Sequence, residues 1–85
     1  MLNKIVMKHE LKVWPEYFEE IYSNRKKFEV RKNDRNYMVG DVLYLREYNP
    51  ITNEYTGRWN QRVIAYILDK NNPFIDLGEN VILSF

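Results

Sequence analysis

The chain has 85 residues, of which 45% are hydrophobic and 15% aromatic, so it can form one domain with a modest core and is too apolar to be disordered. Its 13 basic and 12 acidic residues give a net charge of +1, which lacks the strong basic excess typical of proteins that bind duplex nucleic acid. With no cysteine and one histidine, His9, a single chain cannot form a disulfide or a Cys/His zinc site, and no cofactor motif or metal-loop spacing is visible.

No part of the sequence predicts insertion into a membrane. The N-terminus lacks the charged and apolar regions of a signal peptide, and no run of about 18 apolar residues occurs. We therefore expect a cytoplasmic protein with no membrane partner.

The first predicted element is a strand over residues 4–13, where polar and apolar residues alternate. The face predicted to be buried consists of Ile5, Met7, His9, Leu11 and Val13. His9 interrupts this apolar face. It is either a side chain at the edge of the core with a satisfied hydrogen bond, or a proton carrier that faces a cleft.

A short helix is predicted to follow, because Pro15 fits the first helical turn and apolar residues then recur at three- and four-residue spacing. The predicted apolar stripe consists of Tyr17, Phe18, Ile21 and Tyr22. Asn24 would end the helix, since asparagine tolerates the left-handed backbone that a C-terminal cap requires.

Residues 27–32 predict a second strand, with Phe28 and Val30 on one face and Lys27, Glu29 and Arg31 on the other. A turn over residues 33–36 and a connection with a turn at residues 40–41 would lead to the next strand.

The strand predicted over residues 42–48 is apolar on both faces, and its Arg46 and Tyr48 share one of them. If Arg46 faces the interior, Glu29 is the nearest carboxylate by topology. Alternatively, Arg46 lies at a rim and packs its aliphatic stem on aromatic side chains.

A turn at residues 49–53 would join that strand to a partner over residues 58–68 in a long hairpin. A polar loop with one helical turn at residues 74–77 and a last strand over residues 81–85 complete the pattern. Strands that are apolar on both faces favour a closed sheet, because a flat single layer would leave one apolar face in water. We therefore predict one α+β domain over residues 1–85, a small β-barrel of mostly antiparallel strands with one helix after the first strand.

Lys26, Glu29 and Arg31 are the most informative polar group in the sequence. Glu29 and Arg31 are neighbours on one strand face, and a bend after Asn24 would bring Lys26 beside them. A carboxylate between two cations stays ionised and can accept hydrogen bonds from the amino edge of a base, while the arginine fork suits phosphate or carbonyl oxygens. The alternative is a structural ion pair that adds little stability.

Four aromatic residues could stack on unpaired bases beside these cations, or could belong to the core. They are Trp14, Tyr17, Tyr55 and Trp59.

The segment from Asn24 to Arg31 resembles the signature of the ASCH domains of the PUA-like superfamily, which is Gly, any residue, Lys, any two residues, Glu, any residue, Arg. Lys26, Glu29 and Arg31 match it, and Asn24 stands where Gly is usual. Residues 39–43 resemble the family's second segment, and other segments are similar to a small bacterial and phage subgroup of unassigned function.

The resemblance implies a PUA-like barrel with a cleft beside the helix that binds RNA or modified nucleosides. Carried over by motif, it places Lys26, Glu29 and Arg31 in that cleft. With our additions, the predicted ligand-binding residues are His9, Lys12, Lys26, Glu29, Arg31, Arg46 and Tyr48.

One ASCH branch resembles an acetylcytidine amidohydrolase, which uses a Lys and a Thr shortly after it. Lys26 matches that Lys, but Glu29 stands in place of the Thr. We therefore expect an RNA- or nucleotide-binding module without a cofactor. One alternative is a small hydrolase, acting on a modified nucleoside, in which Lys26 and Glu29 activate water. The other is a protein-interaction module, whose partner could be another copy of the chain in a homo-oligomer.

Overall fold

The computed structural model of the protein describes residues 5–85, which form six strands and one helix. These elements are β1 (Lys8–Val13), α1 (Pro15–Tyr22), β2 (Phe28–Lys32), β3 (Val42–Asn49), β4 (Glu54–Val63), β5 (Tyr66–Leu68) and β6 (Asn80–Ser84).

The strands form two separate three-stranded sheets, and within residues 5–85 neither sheet closes into a barrel. The first sheet has the order β1-β3-β4, with β1 parallel to β3 and β3 antiparallel to β4. The second has the order β2-β6-β5 and is antiparallel throughout. The fold is a small α+β domain with its helix after the first strand, but the predicted PUA-like barrel is wrong.

The gap between the edge strands β1 and β2 is bridged by arginine side chains instead of strand pairing. Carbonyls alternate in direction along a strand, and that of Met7, just before β1, accepts from Val42 N in β3 at 2.9 Å. The carbonyls of Glu10 and Lys12 therefore point to the open edge. There Arg35 Nη1 donates to Glu10 O and Arg31 Nη2 donates to Lys12 O, each at 2.6 Å. These guanidinium groups occupy acceptors that a barrel would pair with β2.

The core lies between α1 and the inner faces of the two sheets. Its buried apolar side chains form one cluster: Leu11, Val13, Phe18, Ile21, Tyr37, Leu43, Leu45, Ile64, Val81 and Leu83. Each large side chain in such a cluster stabilises the fold by about 1.5–3 kcal/mol through burial alone.

The first strand is shorter than the sequence predicts, and the buried stripe of the helix is narrower. Alternation is confirmed from Lys8 to Val13, but Ile5 and Met7 precede β1 and are exposed, and residue 4 lies outside the described residues. The helix buries Phe18 and Ile21, while Tyr17 and Tyr22 at the sides of the predicted stripe are exposed. An eight-residue helix buries a narrow stripe because it packs against one sheet face.

The hairpin of β3 and β4 is confirmed, but its second arm ends sooner than predicted. The chain leaves the first sheet at Ile64, whose N–H donates to Asp41 O at 2.9 Å, and Ala65 N donates to Ser84 O at 2.8 Å in the second sheet. The strand predicted over residues 58–68 is therefore two strands, β4 and β5, in different sheets.

The helical turn predicted at residues 74–77 is wrong. The Asn72 side chain accepts from the backbone N–H groups of Phe74 and Ile75, each at 2.9 Å, and this contact holds a bend there. Asparagine competes with helical hydrogen bonding in this way because its amide oxygen reaches the backbone two and three residues ahead.

Candidate ligand-binding cleft

Glu29 is a buried carboxylate on an edge strand. It shares the inner face of the second sheet with its partner on β6, Leu83, and its side chain is 6% exposed. Phe28 and Val30 point outward and are exposed. The alternation predicted for β2 is correct, but the polar face is the inner one, because two cations pair with Glu29 there.

Both neighbouring cations donate to the Glu29 carboxylate. Lys26 Nζ donates to Oε1 at 2.5 Å, and Arg31 donates to Oε2 through Nε at 3.1 Å and through Nη2 at 3.0 Å. The Lys26 and Arg31 side chains are 20% and 26% exposed, so water reaches the cations better than the carboxylate. This Lys26–Glu29–Arg31 triad carries a net charge of +1, and its cations are its more exposed members.

The end of α1 brings Lys26 into the triad. Asn24 has φ of +65°, which confirms the predicted left-handed cap, and Lys26 N donates back to Glu20 O at 2.9 Å. Arg62 from β4 fixes this end of the helix, since its Nη2 donates to Ile21 O at 2.7 Å and to Asn24 Oδ1 at 2.6 Å. The predicted bend that brings Lys26 beside Glu29 is therefore present, and Arg62 of the first sheet stabilises it.

A cavity of about 370 Å³ opens beside the triad. Its aromatic walls are Trp14, Tyr17 and Phe28, and the rings of Trp14 and Tyr17 are stacked with centroids 6.3 Å apart. Lys26 Nζ lies 5.3 Å from the centre of the Tyr17 ring and 5.2 Å from that of Phe28. The volume is in the usual range for small-molecule sites, and aromatic walls next to cationic donors suit a flat ligand that carries negative charge.

Lys12 contributes to the cleft and also to the surface behind it. Its backbone carbonyl accepts from Arg31 at the gap between the sheets, and the residue lines the cavity. Its Nζ, however, lies 4.4 Å from the centre of the Tyr48 ring on the outer face of the first sheet. Lys12 therefore connects the cleft with that outer face.

Arg46 and Tyr48 do not join the triad. Arg46 Nη1 donates to Glu10 Oε1 at 2.7 Å, and this bond raises the pKa of the Arg46 guanidinium above its ordinary value. Arg46 Cζ lies 3.6 Å from the centre of the Tyr55 ring. The predicted Arg46–Glu29 pairing is wrong and the rim arrangement is correct, because β3 turns Arg46 and Tyr48 to the outer face.

His9 is buried outside the residues that line the cavity. Its Nε2 lies 2.8 Å from Asp41 Oδ2, and Tyr37 packs on its ring at 4.7 Å. Asp41 also accepts from the backbone N–H groups of Met7 and Met38, at 3.2 and 3.0 Å. The contact between His9 and Asp41 agrees with the first interpretation of His9, a side chain at the edge of the core with a satisfied hydrogen bond.

Burial acts to raise the pKa of Asp41. The hydrogen bonds from His9, Met38 and Met7 outweigh this effect, so the pKa of Asp41 lies below its ordinary value. Asp41 is not predictable as this acceptor from the sequence pattern, because its only local signal is its place after Gly40 in a turn.

The described residues that line the cavity include no serine, threonine or histidine. Lys26 and Arg31 hold the Glu29 carboxylate, which is the acidic side chain among the described residues of this lining. Within residues 5–85, no cluster of three His, Asp or Glu side chains is placed to hold a metal, and no helix is long and apolar enough to cross a membrane.

Comparison with known proteins gives a family but no function. The model of a family described as a domain of unknown function, DUF3850, matches residues 8–85. An uncharacterized 12.9 kDa protein in the GpA 3' region of Escherichia phage P2 is 38% identical over 69 residues, which are 81% of this chain and 59% of that protein. The chain thus matches a little over half the length of this curated relative. Neither match assigns the chain to the ASCH domains.

Proposed function

The chain belongs to the DUF3850 family, a domain of unknown function, and we propose that its cleft binds a nucleotide, either free or as one unit of a single-stranded RNA. The observation that carries the proposal is the triad at the aromatic cavity. A buried Glu29 holds the donors of Lys26 and Arg31 in place, so the cleft offers fixed positive charge beside rings on which a base can stack.

Phosphate or carbonyl oxygens of the ligand would bind the donors that the triad leaves available. Lys26 Nζ has three N–H groups and makes one hydrogen bond within residues 5–85, to Glu29. Arg31 uses Nε and Nη2, while its Nη1 donates to none of the described residues. Phosphate groups in proteins are commonly bound by charge-assisted hydrogen bonds from lysine ammonium and arginine guanidinium groups.

Glu29 has a holding role in this proposal. Oε1 accepts from Lys26 and Oε2 accepts twice from Arg31, so the carboxylate is engaged before a ligand arrives. The spacing of the three residues resembles the ASCH motif, whose family is thought to bind RNA or modified nucleosides, and this resemblance supports the same class of ligand.

The base of the ligand would stack on the cavity walls. Trp14 is 48% exposed and Tyr17 is similarly exposed, so the rings present surface to the cleft without rearrangement of the core. Stacking of one base on an aromatic side chain contributes about 1–3 kcal/mol. A net charge of +1 for the whole chain favours a ligand with few phosphates over a duplex.

A pair of adjacent lysines gives a matched test of the cleft. Lys26 lines the cavity, while Lys27 is exposed and lies outside the lining. With nucleoside monophosphates as probes, Lys26→Gln should weaken binding about tenfold through loss of a charge-assisted bond, and Lys27→Gln should change it less than twofold. Isothermal titration calorimetry measures both.

Equal losses in the two variants would mean that binding depends on general positive charge, and absence of binding by the unmodified protein would overturn the proposal. Product analysis with N4-acetylcytidine separates binding from catalysis. We expect the nucleoside to be recovered unchanged, and release of acetate would replace the binding function with the amidohydrolase activity.

A further inference from the structure

The outer face of the first sheet concentrates aromatic and basic side chains. Alternation along β1, β3 and β4 turns one set of residues away from the core. The members of this set that define the aromatic face are Lys8, Lys12, Tyr44, Arg46, Tyr48, Tyr55 and Trp59. Cross-strand pairing places Trp59 opposite Arg46 and Tyr55 opposite Tyr48, so the rings form a continuous surface over β3 and β4.

The cations of this surface lie over its tyrosine rings. Lys8 Nζ is 4.3 Å from the centre of the Tyr44 ring, and the corresponding contacts of Lys12 with Tyr48 and Arg46 with Tyr55 are 4.4 and 3.6 Å. Exposed contacts of this type are weak enough for a ligand to displace them.

Trp59 differs from these tyrosines. Among the described residues, none of the cation–ring contacts involves Trp59, whose side chain is 54% exposed. Its ring is tilted by 49° against Tyr44 at a centroid distance of 5.3 Å. Trp59 is therefore the ring on this surface that is most open to stacking.

The charge of the aromatic face favours an anionic ligand. Lys8, Lys12 and Arg46 carry positive charge, and Glu10 is the carboxylate that points the same way from β1, which leaves a net charge of +2. A ring and a cation at adjacent positions match the repeating base and phosphate of a polynucleotide. A duplex would present paired and stacked bases, whereas only unpaired bases offer their faces to protein rings.

We propose that the aromatic face binds single-stranded nucleic acid that continues from the cleft. The inference rests on the proposed function, since one strand would occupy both sites. Lys12 links them, because the residue lines the cavity and its carbonyl accepts from Arg31, while its ammonium group lies over Tyr48. On binding, bases stack on Trp59 and on the tyrosine rings, and the cations move from the rings to phosphate oxygens.

The two tryptophans of the chain report separately on the two sites. Trp14 lines the cleft and Trp59 lies on the aromatic face. Trp14→Phe leaves Trp59 as the sole tryptophan, and Trp59→Phe leaves Trp14, so quenching of fluorescence identifies which site a ligand occupies. The probes are uridine monophosphate and an oligouridylate of about eight nucleotides, a length within the usual site sizes for single strands.

We expect the monophosphate to quench Trp14 alone and the oligouridylate to quench both tryptophans. Trp59→Ala should weaken binding of the oligouridylate about tenfold and leave binding of the monophosphate unchanged, whereas Trp14→Ala should weaken both. Because Trp59 is exposed, its alanine variant should fold, and circular dichroism checks this.

The outcomes separate this inference from the proposed function. Quenching of Trp14 without any response of Trp59 to the oligomer would overturn the inference and leave the cleft in place. A response of Trp59 alone would contradict the nucleotide cleft and, with it, the continuation of one strand over both sites, and would leave the aromatic face as a separate binding site. Equally tight binding of a duplex of the same length would also overturn the inference, since a duplex cannot offer unpaired bases.

Discussion

Replacing Glu29 with glutamine tests whether the triad is the electrostatic centre of the cleft. Glutamine keeps the size and shape of the side chain but removes its charge. Lys26 and Arg31 would then lie next to a neutral amide, whose NH₂ group is a donor facing other donors. We therefore expect the variant to fold with reduced stability and with displaced cations.

The size of the effect follows from the three hydrogen bonds to the carboxylate. Bonds to a charged group contribute about 1.5–3 kcal/mol and neutral bonds about 0.5–1.5 kcal/mol, so each bond weakens by about 1 kcal/mol. Loss of one partner of a fully buried ion pair costs about 3–5 kcal/mol. Because Lys26 and Arg31 are partly exposed and can regain water, we expect a loss of about 3 kcal/mol.

Thermal and urea unfolding measure this loss, and Glu79→Gln is the matched control. Glu79 faces Lys32 at 3.5 Å with both side chains exposed, and surface pairs of this kind contribute about 0–1 kcal/mol. For a domain of this size, 1 kcal/mol changes the midpoint by about 4–8 °C. Glu29→Gln should therefore lower the midpoint by roughly 12–24 °C, and Glu79→Gln by about 0–8 °C.

Equal losses of stability in Glu29→Gln and Glu79→Gln would contradict a special role of Glu29. Such a result would mean that Glu29 is as well solvated as a surface carboxylate and does not hold the two cations. Urea unfolding should also give the same dependence on denaturant for both variants, since the exposed area of the unfolded chain does not change.

Two further predictions concern the supports of the fold. The pKa of Asp41 is lowered in the folded state, so its contribution to stability is present above its ordinary pKa of 3.8 and is lost as the pH falls through the lowered value. Asp41→Asn should therefore reduce the free energy of unfolding by about 2 kcal/mol at neutral pH and flatten its dependence on pH below about 4, and unfolding curves without this flattening would contradict the account. Arg62→Met removes the bonds to Ile21 O and Asn24 Oδ1 and should speed amide exchange at Lys26, as measured by NMR. An unchanged rate of amide exchange at Lys26 would show that the end of the helix is stable without Arg62.

Local backbone features of the site follow from the sequence. The alternation of β1 from Lys8 to Val13 identifies its buried side, and Asn24 adopts the left-handed conformation that helix termination requires. These features depend on residues close together in the chain, where steric preference and side-chain period act directly. The convergence of Lys26 with Glu29 was inferable for the same reason.

The open edge between the sheets could not be inferred in the same way. Strands apolar on both faces favour closure, but Arg31 and Arg35 take the carbonyls of β1 that closure would use. The inward position of Glu29 also reverses the face that hydrophobic pattern alone selects for β2. The open edge depends on hydrogen bonds between residues that are distant in the chain. Glu29 faces inward because its neighbours Lys26 and Arg31 pair with it, and a hydrophobic pattern encodes neither feature.

The partner of His9 was missed for a similar reason. A satisfied hydrogen bond is one of the two interpretations of His9 from its sequence position, but Asp41 lies 32 residues further along and reaches His9 through the parallel pairing of β1 with β3. Parallel pairing joins segments through a crossover connection, so register alone decides which side chains meet. Pairing of β1 with β3 was not part of the sequence prediction.

Residue-resolved NMR titration of the unmodified protein with a nucleoside monophosphate tests whether the cavity at the triad binds a nucleotide. We expect chemical-shift changes concentrated on the amides of Trp14, Lys26, Glu29 and Arg31, with no comparable changes in the loop over residues 69–78. Changes spread evenly over the surface, or concentrated on that loop, would contradict a nucleotide-binding cleft at the triad.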